Sequence, residues 1–479
     1  MILLWLEIKI GRVRILSKIG QYFTPDNIAG YMASLFSISP SGDTIRILDP
    51  GAGKGILSYR LISRLSVESN SWEYEVTLYE IDKDALEKAV SNLRELASKL
   101  NLNVTIRAFC QDFLKSDGVN QFDDYFDYII LNPPYGKIPM GSDQKKKLLD
   151  RNIRVSNLYA AFVLLSSRLL KGSGELVSIT PRSFINGTSF KLYRKELLHH
   201  GSIELLHSFK NRKIFGSVLQ EVMIMKYVKD VELNSIQIRV SDSKPYPFES
   251  DTLASKEDVI DDSDFSIKII DKPIIKLKET TSLGSLQISG AVDIYTGPVV
   301  AFRDAVIPAS KDKKSEVVPY IFPRNFDMIN YSVNWPLEMA NKENFLVLSN
   351  SNLAKLRNAP IFVLIKRFSS MEQKKRIQAV LYLPETYQKK VAFDNKINVV
   401  EFKSWELLVA RGLCMFLNSV HISDQFRQIS GSTQVNVSDL LKFQIPKPQV
   451  LKKIGTFWTV FQKEPAVVDK IIFEIMGEV

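Results

Sequence analysis

The chain has 479 residues, more than one compact core usually holds, so two domains are expected. Hydrophobic residues at 45% and charged residues at 24% mark soluble globular protein, and a net charge of +10 favours a polyanionic partner. Only two cysteines, Cys110 and Cys414, lie far apart in sequence, which excludes a disulfide framework and a zinc cluster and fits a reducing cytoplasm. Met1 to Leu6 is apolar, but Glu7, Lys9, Arg12 and Arg14 follow at once, so neither a signal peptide nor a membrane span is expected. Phe23-Thr24-Pro25 precedes a helical pattern from Ile28 to Phe36, with Thr24 as its expected N-cap and Pro25 as its first residue. Such a helix start offers N–H groups to a carboxylate, and it is equally the mark of simple capping.

Thr44 to Leu48 reads as a strand, followed by Asp49-Pro50-Gly51-Ala52-Gly53-Lys54-Gly55 and a helix. Strand, glycine turn and helix in succession suit a doubly wound sheet whose ligand sits at the carboxyl ends of the strands. The glycines fit neither a dinucleotide fingerprint nor a phosphate loop. Asp49 suits a ligand carrying a positive group, such as the ammonium of an amino acid. A second strand, Val76 to Asp82, presents Glu80, a carboxylate able to accept both hydroxyls of a ribose. A third, Val104 to Phe109, leads to Asp112 and Phe113, which can accept from an adenine amino group and stack on its ring.

The fourth strand runs into Asn132-Pro133-Pro134-Tyr135, and the rest of the chain is organised around this turn. Two prolines fix φ and remove two donors, leaving a rigid turn with an amide, exposed carbonyls and an aromatic ring. An amide and a carbonyl together accept both hydrogens of a planar amino group, while the ring stacks on the heterocycle that carries it.

Taken in order, these segments resemble the amino-directed DNA methyltransferases of restriction–modification systems, in the gamma arrangement, over residues 18 to 230. The resemblance implies S-adenosylmethionine as cofactor. It implies that Phe23, Thr24, Pro25, Asp49, Gly51 and Ala52 hold the methionine end, Glu80 the ribose, and Ile81, Asp112 and Phe113 the adenine. Asn132, Pro133, Pro134 and Tyr135 would hold the target amino group and base. The helix beginning at Leu158 flanks the cofactor ring in the family, and Phe190 matches an aromatic that packs the far face of a flipped base. Phe184 is expected in the core instead. Asn at position 132 favours adenine N6, since the cytosine-N4 enzymes usually carry Ser there.

Val222 to Tyr227 and Ile236 to Val240 read as closing strands. Residues 241–282, with Pro245, Pro247 and an acidic run, read as a linker or peripheral insertion. From residue 283 short strands and loops follow. Lys366 and Arg367, beside Phe368, suit phosphates and base edges. Gln434 and Asn436 can each read an adenine edge bidentately.

The expectation is therefore α/β: a doubly wound, Rossmann-like methyltransferase domain over residues 1–240, then a mixed α+β target recognition domain over 283–479. Its function would be site-specific transfer of a methyl group to adenine N6 in a short duplex sequence. The partners would be double-stranded DNA and a separate restriction endonuclease, for a cytoplasmic monomer with no metal. An RNA base methyltransferase and a non-catalytic DNA-binding subunit are the alternatives, separated by assay on duplex DNA against structured RNA.

Overall fold

Apolar, β-branched runs alternate with amphipathic stretches along the first half of the chain, and each becomes a strand or a helix covering it. The computed structural model describes residues 23–38, 42–69, 71–211, 214, 221–271, 277–308, 316–337, 343–370, 373–384, 390–430 and 433–477. The apolar run from Met1 to Leu6 lies outside them. The chain folds as two units, Met1–Pro273 and Ile274–Val479.

The strands of the first unit are β1 (Thr44–Pro50), β2 (Glu73–Tyr79), β3 (Asn103–Phe109), β4 (Phe126–Leu131) and β5 (Leu170–Pro181). They continue with β6 (Gly201–Phe209), β7 (Val222–Lys229), β8 (Ser235–Ser241) and β9 (Ser250–Ser255). Among the described residues these nine form one sheet in the order β3-β2-β1-β4-β5-β7-β6-β8-β9. The first five are mutually parallel, and β7 pairs antiparallel with both β5 and β6. Strand order reverses between β1 and β4, the place where a doubly wound sheet opens a crevice at its carboxyl edge.

Helices α1 (Asp26–Ser34), α2 (Ile56–Leu65), α3 (Lys83–Leu100), α4 (Asp143–Asp150), α5 (Leu158–Leu169) and α6 (Lys191–His199) accompany the sheet. α3 shows why the sequence folds this way. Asp82 caps its start by accepting from the amide of Ala85 at 3.1 Å, and Leu86, Ala89, Leu93 and Leu96 bury at three- and four-residue spacing. All six residues of β4 are buried, as in a central strand covered on both faces. Burial of Ile129, Ile130 and Leu131 contributes about 1.5–3 kcal/mol for each side chain, which anchors the turn that follows.

Two expectations need correction. α1 begins at Asp26 with Pro25 as its N-cap, one residue later than the sequence suggests, and no side chain caps it. A further strand, β6, stands where the sequence reading has none. Residues 241–282, expected as a linker or peripheral insertion, hold regular structure: β9 extends the first sheet antiparallel to β8, and Lys256–Val259 adds a helical turn. The prolines and acidic residues on either side hide the alternating, half-exposed pattern of this edge strand.

The second unit is mixed α+β. Its strands are β10 (Thr280–Ser282), β11 (Val292–Thr296), β12 (Val306–Pro308), β13 (Val317–Ile321), β14 (Phe326–Asp327) and β15 (Ser332–Val333). There follow β16 (Glu343–Val347), β17 (Ile361–Lys366), β18 (Ala379–Tyr382), β19 (Ala392–Phe393), β20 (Ile397–Phe402) and β21 (Gln444–Pro446). Two sheets, β11-β20-β17-β18-β15-β14 and β12-β16-β13-β19, carry most of them. Residues of the first sheet and of helices Leu407–Leu417, Val420–Ile429 and Pro448–Gly455 share one apolar core.

Candidate active site

Four strand ends meet where the strand order reverses. β1 turns into α2 through Gly51, Gly53 and Gly55, whose φ values of 83°, 53° and 75° lie in the left-handed region that favours glycine. The amides of Gly51 and Ala52 both donate to the carbonyl of Tyr79, at 2.7 and 2.9 Å, so the turn folds onto the end of β2. At Gly55 an added Cβ would stand 2.9 Å from the Cβ of Ala89 on α3. Glycine is what lets the turn and α3 approach each other there.

Glu80, just past β2, is 3% exposed. One carboxylate oxygen accepts from the amide of Gly53 at 2.8 Å, and the other from Ile81 and Asp82 at 2.8 and 3.0 Å. Three backbone donors thus fix the carboxylate in place. Asp49 is fully buried, and its Oδ2 accepts from the Ser58 hydroxyl at 2.5 Å, while Oδ1 has no hydrogen-bond partner among the described residues. Burial pushes this carboxyl up to about 7, against the opposing pull of the Ser58 hydrogen bonds, with a further upward push from Glu80. Phe23 is half exposed, with its ring against Gly53 and the Lys54 ammonium 5.5 Å from its centroid.

After β3, Asp112 Oδ1 accepts from the amide of Leu114 at 2.9 Å and Oδ2 from the Gln144 side chain at 2.7 Å. Phe113 is buried and meets Tyr79 and Phe162 at centroid distances of 5.2 and 5.3 Å. A single pocket is walled by Gly51, Glu80, Ile81, Asp112 and Phe113 together with Asn132 and Pro134. Asp49, Ala52, Phe23, Thr24 and Pro25 are not among its walls: Asp49 is near the end of β1, Ala52 is a buried residue of the turn, and the others lead into α1.

Asn132 follows β4, and its Nδ2 donates to the Thr24 hydroxyl at 3.0 Å. The Tyr135 hydroxyl donates to the carbonyl of Ile179 on β5 at 3.2 Å, which braces the turn against the sheet. Phe190 does not face Tyr135 across an open gap. It is 6% exposed and stacks on Tyr159 at 5.5 Å, and Tyr159 in turn meets Tyr135 edge-on at 6.5 Å. The buried helix α5 thus carries Tyr159 to a place in contact with both rings. Phe184 is fully buried, as expected.

In the second unit, Lys366 and Arg367 close β17, and the chain from 433 to 436 lies beside them. Val435 donates to the carbonyl of Arg367 at 2.8 Å, Ser369 donates to that of Thr433 at 3.0 Å, and Phe368 bridges to Gln434. The Gln434 amide, turned to suit its neighbours, accepts from Arg367 Nε at 2.9 Å. The structure therefore brings these residues together although about seventy positions separate them in sequence. Asn436 acts locally, capping the helical turn Val437–Leu440, with its backbone and side-chain nitrogens 3.0 and 3.3 Å from Asp439 Oδ2.

Sequence reasoning missed Gln144, Phe162, Tyr79 and Ser58. Phe162 stands four residues after Leu158 on α5, and both line the pocket, so helical spacing was a usable signal. Gln144 gave none. Among the described residues no group of three His, Cys, Asp or Glu is placed to hold a metal ion, and no helix is long and apolar enough to cross a membrane.

The residues present fit a nucleoside joined to an amino acid. Fixed carboxylates at Glu80 and Asp112 line one pocket with Phe113 and Phe162, and near the end of β1 the buried Asp49 Oδ1 has no hydrogen-bond partner among the described residues. Sheet order, glycine turn and Asn-Pro-Pro-Tyr turn in one crevice define an S-adenosylmethionine-dependent methyltransferase.

Residues 11–215 match the family described as Eco57I restriction-modification methylase. The chain is 32% identical over 468 residues to the type II methyltransferase M.BsuBI of Bacillus subtilis, covering 93% of this chain and 90% of that one. It is 31% identical over 479 residues to M.PstI of Providencia stuartii, covering 95% and 92%. The type IIL restriction-modification enzyme MmeI, solved in complex with DNA, shares the fold with a TM-score of 0.59 at 12% identity, over 90% of this chain and 70% of that one. The chain belongs to the type II DNA methyltransferases of restriction–modification systems.

Proposed function

We propose that the enzyme methylates N6 of adenine within a short duplex sequence and so protects that DNA from a separate endonuclease, acting as a cytoplasmic monomer. One observation carries this reading: Asn132 and Pro134 wall the same pocket as Glu80 and Asp112, so amino-group acceptors and cofactor contacts share one cavity. S-adenosylmethionine, when bound, supplies an electrophilic methyl group. Glu80 would hold its ribose, Asp112, Ile81 and Phe113 its adenine, and Asp49, Gly51, Ala52, Phe23, Thr24 and Pro25 the methionine end.

The chain's own contribution is positioning. The Asn132 amide oxygen and the Pro133 carbonyl accept the two amino hydrogens, drawing the nitrogen lone pair toward the reacting carbon, and the Tyr135 ring faces the positive charge that develops. No residue need act as a strong base. An adenine paired in a duplex hides this amino group, so the base must leave the stack to reach the crevice, which costs a few kcal/mol. The basic second unit would supply the DNA contacts, with Arg367 at their centre and Gln434 and the half-buried Lys366 beside it.

The test is to map methylated adenines in DNA from cells that express the protein. Wild-type cells should show one short motif modified, and Asn132→Ala should abolish the signal while cofactor binding survives. Unmodified adenine in wild-type cells, or a fully active Asn132→Ala, would overturn the reading.

A further inference from the structure

α1 touches the active turn at one end and is locked into the sheet at the other. Thr24, just ahead of α1, receives the Asn132 amide at 3.0 Å across 108 residues of sequence. At the start of the helix, Asp26 forms an ion pair with Arg60 of α2, with Nε to Oδ1 at 2.7 Å. Along α1, Tyr31 is 3% exposed, and its hydroxyl meets the ring of buried His207 at 2.8 Å and Arg239 at 3.3 Å. The other ring nitrogen of His207 meets the Ser241 hydroxyl at 2.8 Å, and Arg239 pairs with Asp251 of β9 at 3.2 Å. α1 is therefore braced by β6, β8 and β9, which take no part in the pocket.

An amide is nearly symmetric in shape and opposite in chemistry at its two ends. Its terminal torsion is broad and two-fold, so a half-turn exchanges an acceptor for a donor. Only the orientation that presents oxygen suits a target amino group; the other sets donor against donor. In the structure the nitrogen is committed to Thr24, which places the oxygen on the other side of the amide.

We propose that Thr24 is a positioning residue for methyl transfer, its hydroxyl holding the Asn132 amide in the acceptor-forward orientation while braced α1 keeps that hydroxyl in place. This rests on the amino-methyltransferase reading above, and it goes beyond a cofactor role for Thr24. Thr24→Val keeps the branched shape and removes the hydroxyl, and Thr24→Ser keeps the hydroxyl. Rates are read from single-turnover methylation of a duplex holding the mapped site, and cofactor affinity from calorimetry on the same preparations.

With S-adenosylmethionine saturating, Thr24→Val should slow single-turnover transfer by about 10- to 100-fold, the scale of losing a fixed reacting geometry, over and above any loss of cofactor affinity. Thr24→Ser should restore most of the rate. Wild-type transfer by Thr24→Val at saturating cofactor, or a slow rate that more cofactor fully restores, overturns the proposal. Failure of Thr24→Ser to recover activity overturns it too, because shape and not the hydroxyl would then matter. A wild-type protein that leaves adenine unmodified sinks the functional reading itself and this proposal with it. Methylation by wild type with an indifferent Thr24→Val sinks this proposal alone.

Discussion

The backbone amide of Gly53 donates to the carboxylate of Glu80 at 2.8 Å, joining the glycine turn after β1 to the end of β2. The carboxylate also accepts from Ile81 and Asp82, so three amides hold it while its residue walls the pocket. A ligand meeting Glu80 therefore meets a group already ordered, with little rotamer freedom left to lose.

Glu80→Ala should weaken S-adenosylmethionine binding by roughly 1.5–3 kcal/mol, the scale of a hydrogen bond to a charged group. Calorimetry on the folded variant measures this. Unchanged affinity would remove Glu80 from the site.

Asp49 sets stability against binding. Its folded-state carboxyl is raised to about 7 from an ordinary 3.8, so stability from this residue is full below 3.8 and is lost as pH rises through 7. At pH 8 the buried charge should cost the ligand-free protein up to about 4 kcal/mol, and Asp49→Asn should recover much of it in urea titrations. Cofactor binding should run the other way, because a neighbouring ammonium favours the ionised form. Wild-type affinity should improve as pH rises toward 7 and flatten above it, with proton release seen by calorimetry in buffers of different ionisation enthalpy. An Asp49→Asn variant that binds as wild type does at pH 8 would take Asp49 out of the methionine subsite.

His207 behaves oppositely. Burial, aided by the nearby Arg239 charge and resisted by Asp251, lowers its pKa to about 3 from 6.5. The imidazole is neutral between two hydroxyls, so its stability is full above 6.5 and is lost as pH falls toward 3. Acidifying from pH 7 to pH 5 should remove about 2 kcal/mol through this one residue. The acid limb of stability against pH should flatten by that amount in His207→Gln. An identical limb in the variant would show that His207 is protonated in the folded state.

Much of this site was legible in sequence because parallel strands place their end residues on one edge. Asp49, Glu80, Asp112 and Asn132 each follow an apolar run, and no long-range information was needed to expect them together. The stacking of Phe190 on Tyr159 was not legible, because a sequence pattern gives an aromatic at the right distance along the chain and cannot report which ring covers it. The edge strand β9 was obscured for a related reason: half-exposed strands carry weak periodicity, and prolines nearby look like breaks. The approach of Thr433–Asn436 to the end of β17 is a tertiary pairing, and no local pattern encodes it.

That pairing separates two kinds of DNA contact. Lys366 is half-buried, with its ammonium 5.9 Å from the centroid of the Phe326 ring, and burial lowers its pKa from the ordinary lysine value. Arg367 donates to the carbonyl of Asn395 at 2.9 Å and lies against Gln434, beside the half-exposed ring of Phe368. A guanidinium held in this way has a fixed fork, which suits a base edge better than a mobile phosphate. Arg367→Ala should cost about 1–3 kcal/mol more on the cognate duplex than on a scrambled one, and Lys366→Ala should change both little. Fluorescence anisotropy over a range of salt supplies both affinities and slopes. The wild-type slope of log K against log salt should be about −0.9 for each phosphate neutralised, and it should survive Arg367→Ala if the residue reads a base. Equal losses on both duplexes, with a slope shallower by about one phosphate, would make Arg367 a backbone contact and move sequence reading elsewhere in the second unit.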